Sequence, residues 1–254
     1  MKFIREISRS DMDLAIQEAS IISYLQSDEL IRYVDMFYFK KQFFIILEYM
    51  ELSGMKNICV KNYMNHSEDF CRYTLYKVAK GIASMHKEGI LHRDIKSDNI
   101  LHNLEGEIKI ADMGFACVLS NEEQKGEVGT GTTHWIAPEV KKGTLYSKKV
   151  DVWSFGCLAY ELATGSPPFF DLNRSALTYN VMNIDVPKIR GNWSNEFKDF
   201  VKQCLKRKPS ERLTMKKALY KHPFLSGIDV EECREAWIRD VEDFNNRGSD
   251  SDSY

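Results

Sequence analysis

The stretch that decides the fold runs Leu91-His92-Arg93-Asp94-Ile95-Lys96-Ser97-Asp98-Asn99-Ile100-Leu101. A turn at 103–106 and the apolar run 108–111 separate it from Asp112-Met113-Gly114. Because these polar residues flank two short apolar strands, we expect them to gather at one strand end. Asp94, Asn99 and Asp112 offer hard oxygen ligands and Lys96 offers a cation. That set suits Mg²⁺ together with an anionic phosphate.

The composition is that of an ordinary globular chain. Of 254 residues, 43% are hydrophobic and 28% charged, which suits one large domain or two lobes that share a cleft. The 35 basic and 37 acidic residues leave a net charge of −2. A chain-wide attraction to nucleic acid or to an anionic membrane is therefore not indicated. The longest apolar run, at 43–47, is far too short for a membrane span.

Cysteine usage and the N-terminal residues favour a cytoplasmic location. The six cysteines are scattered without zinc or redox spacing, so reduced thiols are the default. Charged residues within the first thirteen positions exclude a signal peptide. Entry into the nucleus stays open.

Three zones divide the chain. Residues 1–50 are rich in β-branched and aromatic residues around one helix, residues 51–225 favour helices, and residues 226–254 are acidic. The end of the last zone, Gly248–Tyr254, is Ser/Asp-rich, and we expect it to be a disordered tail.

Periodicity predicts four elements around the polar stretch. One helix is capped by Ser10, runs to about Leu25 and carries Leu14 on its apolar stripe. Two runs joined near residues 40–42 predict a hairpin, and residues 68–87 predict a long helix. Residues 151–163 are apolar on nearly every side, so we expect a buried helix, with Asp151 as its cap.

Further motifs follow in a fixed order, and with them the chain resembles the eukaryotic protein kinases, in particular the Sterile-twenty group and its PAK branch. The motifs are H-R-D-I-K-S-D-N at 92–99, D-M-G at 112–114, G-T-T-H-W-I-A-P-E at 131–139, D-V-W-S-F-G at 151–156, G-S-P-P-F at 165–169, P-S-E-R-L-T at 209–214 and H-P-F-L at 222–225. The resemblance covers residues 1 to about 225. It implies an α+β, bilobal fold with an incomplete, small β-rich N lobe at 1–50 and a mainly helical C lobe at 51–225.

The resemblance also implies catalytic roles with ATP and Mg²⁺ as cofactors. Asp94 would accept or orient the proton of the substrate hydroxyl, and Lys96 would steady the transferring phosphate, as in serine/threonine kinases. Asn99 and Asp112 would hold magnesium, and Thr132 would help to position the acceptor hydroxyl.

A nucleotide site follows from the same resemblance. Leu47 would be the gatekeeper, and the backbone of Glu48, Tyr49 and Met50 would form the hinge that meets adenine. In kinases a helix glutamate also pairs with a strand lysine that grips the phosphates. Glu18 lies on the apolar stripe of the first helix, where a carboxylate is either paired or reaches water. With Lys2 upstream, the resemblance favours a Lys2–Glu18 pair. It also implies a structural ion pair between Glu139 and Arg212.

The sequence departs from the family pattern before Lys2, where the two strands of the glycine-rich loop would lie. Either the true start lies upstream, or the natural chain is a degraded kinase. The alternative function is therefore a catalytically impaired pseudokinase that acts as a binding or scaffold module. In D-M-G, Met113 replaces the usual phenylalanine, and as a flexible apolar side chain it can fill that place.

The expected partners are protein substrates with Ser or Thr acceptors. An upstream kinase or a small GTPase would act through regions not present in this sequence. Val128 stands where the PAK branch carries its phosphorylated threonine, so regulation by phosphorylation there is in doubt. The basic run Lys202, Lys206, Arg207 and Lys208 is interpreted as a solvated helix end and not as a nucleic-acid patch.

Overall fold

β-Branched and aromatic residues near the N-terminus give way to long amphipathic and apolar helices, and the computed structural model is accordingly α+β. It has a small sheet-containing N lobe and a helical C lobe. The structure describes residues 2–4, 9–40, 42–52, 54–62, 66–125 and 130–249. In this part of the chain, no helix is both long and apolar enough to cross a membrane.

The N lobe consists of one antiparallel sheet and one helix. Strands β1 (Lys2–Ile4), β2 (Tyr33–Phe39) and β3 (Gln42–Leu47) lie in the order β1-β3-β2, which confirms the predicted hairpin. Helix α1 (Arg9–Tyr24) packs on the sheet through Ala15 and Ala19. The backbone of Ile31 donates to the carbonyl of Ile110, 2.9 Å away, which ties this lobe to the strands below it.

Two expectations for α1 were wrong. The helix already begins at Arg9, so Ser10 lies inside its first turn and is not the cap. Leu14 is 57% exposed, because the buried face is rotated onto Ala15, Glu18 and Ala19. Alanine permits a closer approach to the sheet than leucine does, and small residues therefore define the contact face.

The C lobe is built around two long buried helices. Its principal helices are α2 (Lys56–Asn62), α3 (Glu68–Lys87), α4 (Pro138–Lys141), α5 (Lys149–Thr164), α6 (Arg174–Asn183), α7 (Asn195–Cys204), α8 (Met215–Lys221) and α9 (Val230–Ser249). Short strand pairs complete it, namely β4 (Ile90–Leu91) with β7 (Cys117–Val118), β5 (Ile100–His102) with β6 (Ile108–Ile110), and β8 (Gln124–Lys125) with β9 (Leu145–Tyr146). The predicted helices at 68–87 and 151–163 are confirmed as α3 and α5. A Cβ on Gly156 would lie 2.7 Å from Cys204 Cβ, so glycine permits α5 and α7 to pack closely.

The acidic C-terminal zone contributes to the core, which sequence analysis did not predict. Helix α9 packs against α3 and buries Trp237 completely. The Trp237 indole donates to Thr74 Oγ1, 3.1 Å away, so the ring keeps a partner inside the core. Of the expected disordered end, residues 248 and 249 belong to α9, and residues 250–254 lie outside the described residues.

Ser67 links the start of α3 to α9, and Ser67→Ala should lower the free energy of unfolding by about 1–2 kcal/mol. Its hydroxyl accepts from the Phe70 N–H as the N-cap, at 3.0 Å, and donates to Asp240 Oδ2 at 2.8 Å. Urea unfolding measures the loss. Ser23→Ala, an exposed serine on α1, should shift the value by less than about 0.5 kcal/mol. Equal shifts in both variants would contradict the linking role of Ser67.

Candidate active site

Three side chains from two segments, those of Asp94, Lys96 and Thr132, contact one another, and Asp94 is 1% exposed. Lys96 Nζ donates to Asp94 Oδ2 at 2.7 Å. The Thr132 hydroxyl and backbone N–H donate to Asp94 Oδ1 at 2.6 and 2.9 Å. Lys96 Nζ also donates to Thr132 Oγ1 at 2.6 Å. A carboxylate, an ammonium group and a hydroxyl are thus joined in one closed set of contacts.

The Asp94 carboxylate is held in its ionised form. Burial acts to raise its pKa, but hydrogen bonds from Lys96 and Thr132 outweigh burial and hold the pKa below its usual value. Near neutral pH the group is therefore a charged acceptor for the proton of a nearby hydroxyl.

The loop that carries Asp94 is anchored from below by Asp151. The fully buried Asp151 carboxylate accepts the backbone N–H groups of His92 and Arg93, at 3.1 and 2.8 Å, and contacts His86 Nε2 at 2.8 Å. Burial acts to raise the pKa of Asp151, but the contact with His86 and the backbone hydrogen bond from Arg93 outweigh burial. The pKa therefore lies below its usual value. The prediction that Asp151 caps α5 was wrong, because α5 begins at Lys149 and Asp151 lies in its first turn.

Gly131 brings the second segment against the loop. Its φ is +105°, and a Cβ there would lie 2.5 Å from the carbonyl oxygen of Arg93. An L side chain would therefore be excluded both by conformation and by contact. The close approach places Thr132 within reach of Asp94.

Asn99 and Asp112 lie on adjoining segments. The Asn99 amide nitrogen donates to the Asp94 carbonyl at 2.8 Å and to Asp94 Oδ2 at 3.0 Å. The backbone N–H of Ala111 donates to the Asn99 carbonyl at 2.9 Å. Asp112 follows in the left-handed conformation, with φ 62° and ψ 76°. The β5–β6 hairpin thus brings the residue before Asp112 against Asn99.

These donors fit magnesium and a nucleotide phosphate. The Asn99 amide nitrogen is committed to Asp94, which leaves its side-chain oxygen as a neutral ligand, and Asp112 brings a carboxylate. Across the described residues, no group of three or more His, Cys, Asp and Glu side chains is arranged to hold a metal. Mg²⁺ commonly takes one or two protein ligands and completes its shell with phosphate oxygens and water. The set therefore suits a metal that arrives with a polyphosphate.

The segment predicted as the hinge connects the lobes. The Glu48 carboxylate accepts the backbone N–H of Arg32 at 2.6 Å and pairs with Lys109 Nζ at 2.9 Å. Its side chain is thereby committed to Arg32 and to β6, so Glu48 would have its backbone and not its carboxylate available to a base. Leu47 is half-buried at the end of β3, and Met50 is buried in the main core.

Glu18 is buried, with 5% exposure, in the middle of α1. This burial contradicts the alternative in which the Glu18 carboxylate reaches water. Lys2 lies opposite Ile45 in the sheet, but its side chain lies outside the described residues. The Lys2–Glu18 pair stays a prediction. Val128 also lies outside the described residues.

Sequence analysis missed the buried carboxylate of Glu161. Its Oε1 accepts the hydroxyl of Ser97 at 2.6 Å. Burial is the main cause that raises the pKa of Glu161 to about 7. The only sequence signal was a glutamate inside an otherwise apolar helix. Glu161 supports the same loop that carries Asp94, from the side of α5.

The raised pKa of Glu161 makes stability depend on pH. Between about pH 4.5 and 7 the folded state holds a proton that the unfolded state has lost, so this contribution falls as pH rises. We expect the wild type to lose up to about 1.4 kcal/mol per pH unit in this window relative to Glu161→Gln. Urea unfolding of both proteins at pH 5 and pH 8 measures the difference. Parallel stability curves for the two proteins would contradict it.

The protein kinase class is defined by a small sheet lobe over a helical lobe. Asp94, Lys96 and Asn99 lie on the loop below the connection between the two lobes. The chain belongs to this family, since the protein kinase domain model matches residues 1–225. The predicted fold class and family are thereby confirmed.

Several of the similar proteins are named serine/threonine-protein kinases. The chain is 33% identical to serine/threonine-protein kinase pakB of Dictyostelium discoideum over 86% of this chain and 26% of that protein. It is 34% identical to serine/threonine-protein kinase pakA of Talaromyces marneffei, over 84% of this chain and 33% of the relative. Cell division control protein 7 of Schizosaccharomyces pombe is 30% identical over 98% of this chain and 23% of the relative. The chain spans about a third or less of the length of these relatives.

Proposed function

We propose that this chain is the catalytic domain of a STE20/PAK-like protein serine/threonine kinase that transfers the γ-phosphate of ATP to Ser and Thr hydroxyls. The observation that carries the proposal is the closed set of contacts among Asp94, Lys96 and Thr132. It places an ionised carboxylate, a cation and a hydroxyl-binding position within 3 Å of one another.

The transfer follows from these positions. The acceptor oxygen attacks the γ-phosphorus, the bond to the leaving ADP breaks, and the hydroxyl proton passes to the Asp94 carboxylate. Lys96 stabilises the negative charge of the transferring group. ATP is the phosphoryl donor, and Mg²⁺ held by Asn99 and Asp112 would neutralise part of the charge of its phosphates.

The nucleotide would bind beside the segment after β3. The backbone at Glu48 and Met50 would contact the adenine, with Leu47 behind it, and the Lys2–Glu18 pair would meet the α- and β-phosphates. The buried position of Glu18 supports this part of the proposal, because a buried carboxylate needs a partner.

The acceptor residues are Ser and Thr rather than Tyr. Lys96 contacts both Asp94 and Thr132, so the space for an acceptor hydroxyl beside Asp94 is confined. A confined space suits the short side chains of Ser and Thr. The similar proteins carry serine/threonine kinase in their names. The natural partners are accordingly protein substrates, with an upstream kinase or a small GTPase as regulator, in the cytoplasm. Nothing in the comparisons favours the pseudokinase alternative.

The test is a transfer assay with γ-labelled ATP and two matched basic peptides that differ only in a Ser or a Tyr acceptor. We expect label on the Ser peptide, none on the Tyr peptide, and loss of all label when EDTA removes Mg²⁺. Label on neither peptide, together with no thermal shift by MgATP, would overturn the proposal. A ligand at 100 times its Kd should stabilise the protein by about 2.7 kcal/mol.

A further inference from the structure

We propose that a groove on the C lobe, away from Asp94, is a docking site for an acidic peptide that carries an apolar anchor residue. The groove is bounded by the 184–189 loop, by α7 and by the 206–211 segment, with Trp153 at its floor. We call it the α7 groove. Its volume is about 1030 Å³, and none of its lining residues belongs to the candidate active site. That volume is at the upper end of ligand sites and has room for several peptide residues.

The rim of the α7 groove is strongly cationic, although the whole chain has a net charge of −2. Six lining side chains are basic, namely Lys188, Lys198, Lys202, Lys206, Arg207 and Lys208, and only Asp185 and Glu211 are acidic. Both carboxylates are already paired within the groove, Asp185 with Arg207 at 2.6 Å and Glu211 with Lys208 at 3.3 Å.

Four lysines of the rim have no carboxylate at ion-pair distance. Lys188, Lys198, Lys202 and Lys206 make no ion pair with any residue that the structure describes, and Lys198 donates to the Trp193 carbonyl instead. They come from the loop, from α7 and from the segment after α7, so three different walls of one cavity present positive charge. A surface without function would more commonly intersperse both signs of charge. The arrangement therefore favours an anionic occupant.

The floor of the groove is apolar. Trp153, Val201 and Leu205 are buried beneath it, so the apolar surface open to an anchor is that of the 184–189 loop, where Ile184 is 46% exposed. A cationic rim around an apolar floor matches a peptide whose acidic residues flank a leucine or a similar side chain. The acidic residues would meet the lysines, while the anchor would bury apolar surface.

Nucleic acid fits the groove less well than a peptide does. Trp153 is the aromatic side chain among the described lining residues, and at 1% exposure it offers no ring face on which a base could stack. A phosphate backbone would meet the lysines of the rim but would leave the apolar floor unfilled. Lys202 lies exposed in the last turn of α7 and Lys206 follows the helix, as the sequence indicated, and the proposal adds a role for this solvated helix end.

The test measures fluorescence polarisation of a labelled peptide with three acidic residues on each side of a Leu-Leu pair. The full chain is used without nucleotide, so the result does not depend on phosphoryl transfer. Lys202→Glu combined with Lys206→Glu should weaken binding at least 10-fold. The matched control combines Lys217→Glu and Lys221→Glu, two exposed lysines with the same spacing on α8, and should change binding less than 2-fold. Lys188→Glu, on the exposed loop, should weaken binding about 3-fold and serves if the double variant does not fold.

The outcomes separate the occupants. A peptide with Ala-Ala in place of Leu-Leu should bind at least 5-fold more weakly, and higher salt should weaken both peptides. Equal loss in the two double variants, or equal binding of the two peptides, would overturn the proposal. Tighter peptide binding after removal of residues 250–254 would assign the groove to the acidic end of this chain instead. Equally tight binding of a DNA duplex would assign it to nucleic acid.

Discussion

Asp94→Asn is expected to lower the rate of phosphoryl transfer by about 10²–10⁴-fold. Asparagine has nearly the same shape and can still bond to Thr132, but it cannot take the proton of the acceptor hydroxyl. The loss should therefore appear in kcat, because in the proposed mechanism Asp94 would contact the acceptor hydroxyl and not the adenine. Initial rates with γ-labelled ATP measure the effect, and thermal shifts with MgATP report binding separately.

The control for this prediction is Asp28→Asn, which changes an exposed aspartate to the same residue. Its rate should stay within about 2-fold of the wild type, because substitutions of exposed residues away from such contacts have small effects. Equal rates for Asp94→Asn and Asp28→Asn would show that the proton does not pass to Asp94. If Asp94→Asn also lost its response to MgATP, the loss of activity would have to be assigned to binding.

Arg212→Met is expected to lower the free energy of unfolding by about 3–5 kcal/mol. The Arg212 side chain is fully buried and forms a two-pronged contact with Glu139, at 2.6 and 2.7 Å. It also donates to the carbonyls of Lys149 and Arg207, at 2.9 Å each. Methionine removes every one of these donors and leaves Glu139 as a buried charge without its partner.

Urea unfolding with the matched control Arg239→Met distinguishes burial from charge. Arg239 pairs with Glu235 on α9, but at 4.0 Å and with both side chains about two-thirds exposed, so its loss should cost less than about 1 kcal/mol. The double variant Glu139→Gln with Arg212→Met should regain part of the loss, because no charge is then left buried. A similar loss in Arg212→Met and Arg239→Met would contradict this account.

Much of the architecture was accessible from local sequence patterns. Alternating and periodic apolar residues predicted the β2–β3 hairpin, α3 and α5, and the spacing of the polar stretch predicted that Asp94, Lys96 and Asn99 share one loop. The Glu139–Arg212 pair, which only the family resemblance implied, is confirmed by the structure. Local patterns succeed here because propensity and periodicity act over a few neighbouring residues.

Contacts between distant parts of the chain were not accessible in that way. Asp151 was assigned to a helix cap, but it binds backbone groups 58 and 59 residues earlier in the sequence. The acidic residues around Trp237 hid a helix that completes the core through its contact with α3. In both cases the deciding partner lies far away along the chain.

By itself, the sequence determined the class of the protein, its main helices and hairpin, and the loop that carries its chemistry. The tertiary structure alone decided which face of α1 is buried, that Glu161 supports the loop, and that three separate segments enclose a cationic groove. The physical reason is that residue order sets short-range conformation, whereas burial and charge pairing depend on which distant surfaces meet.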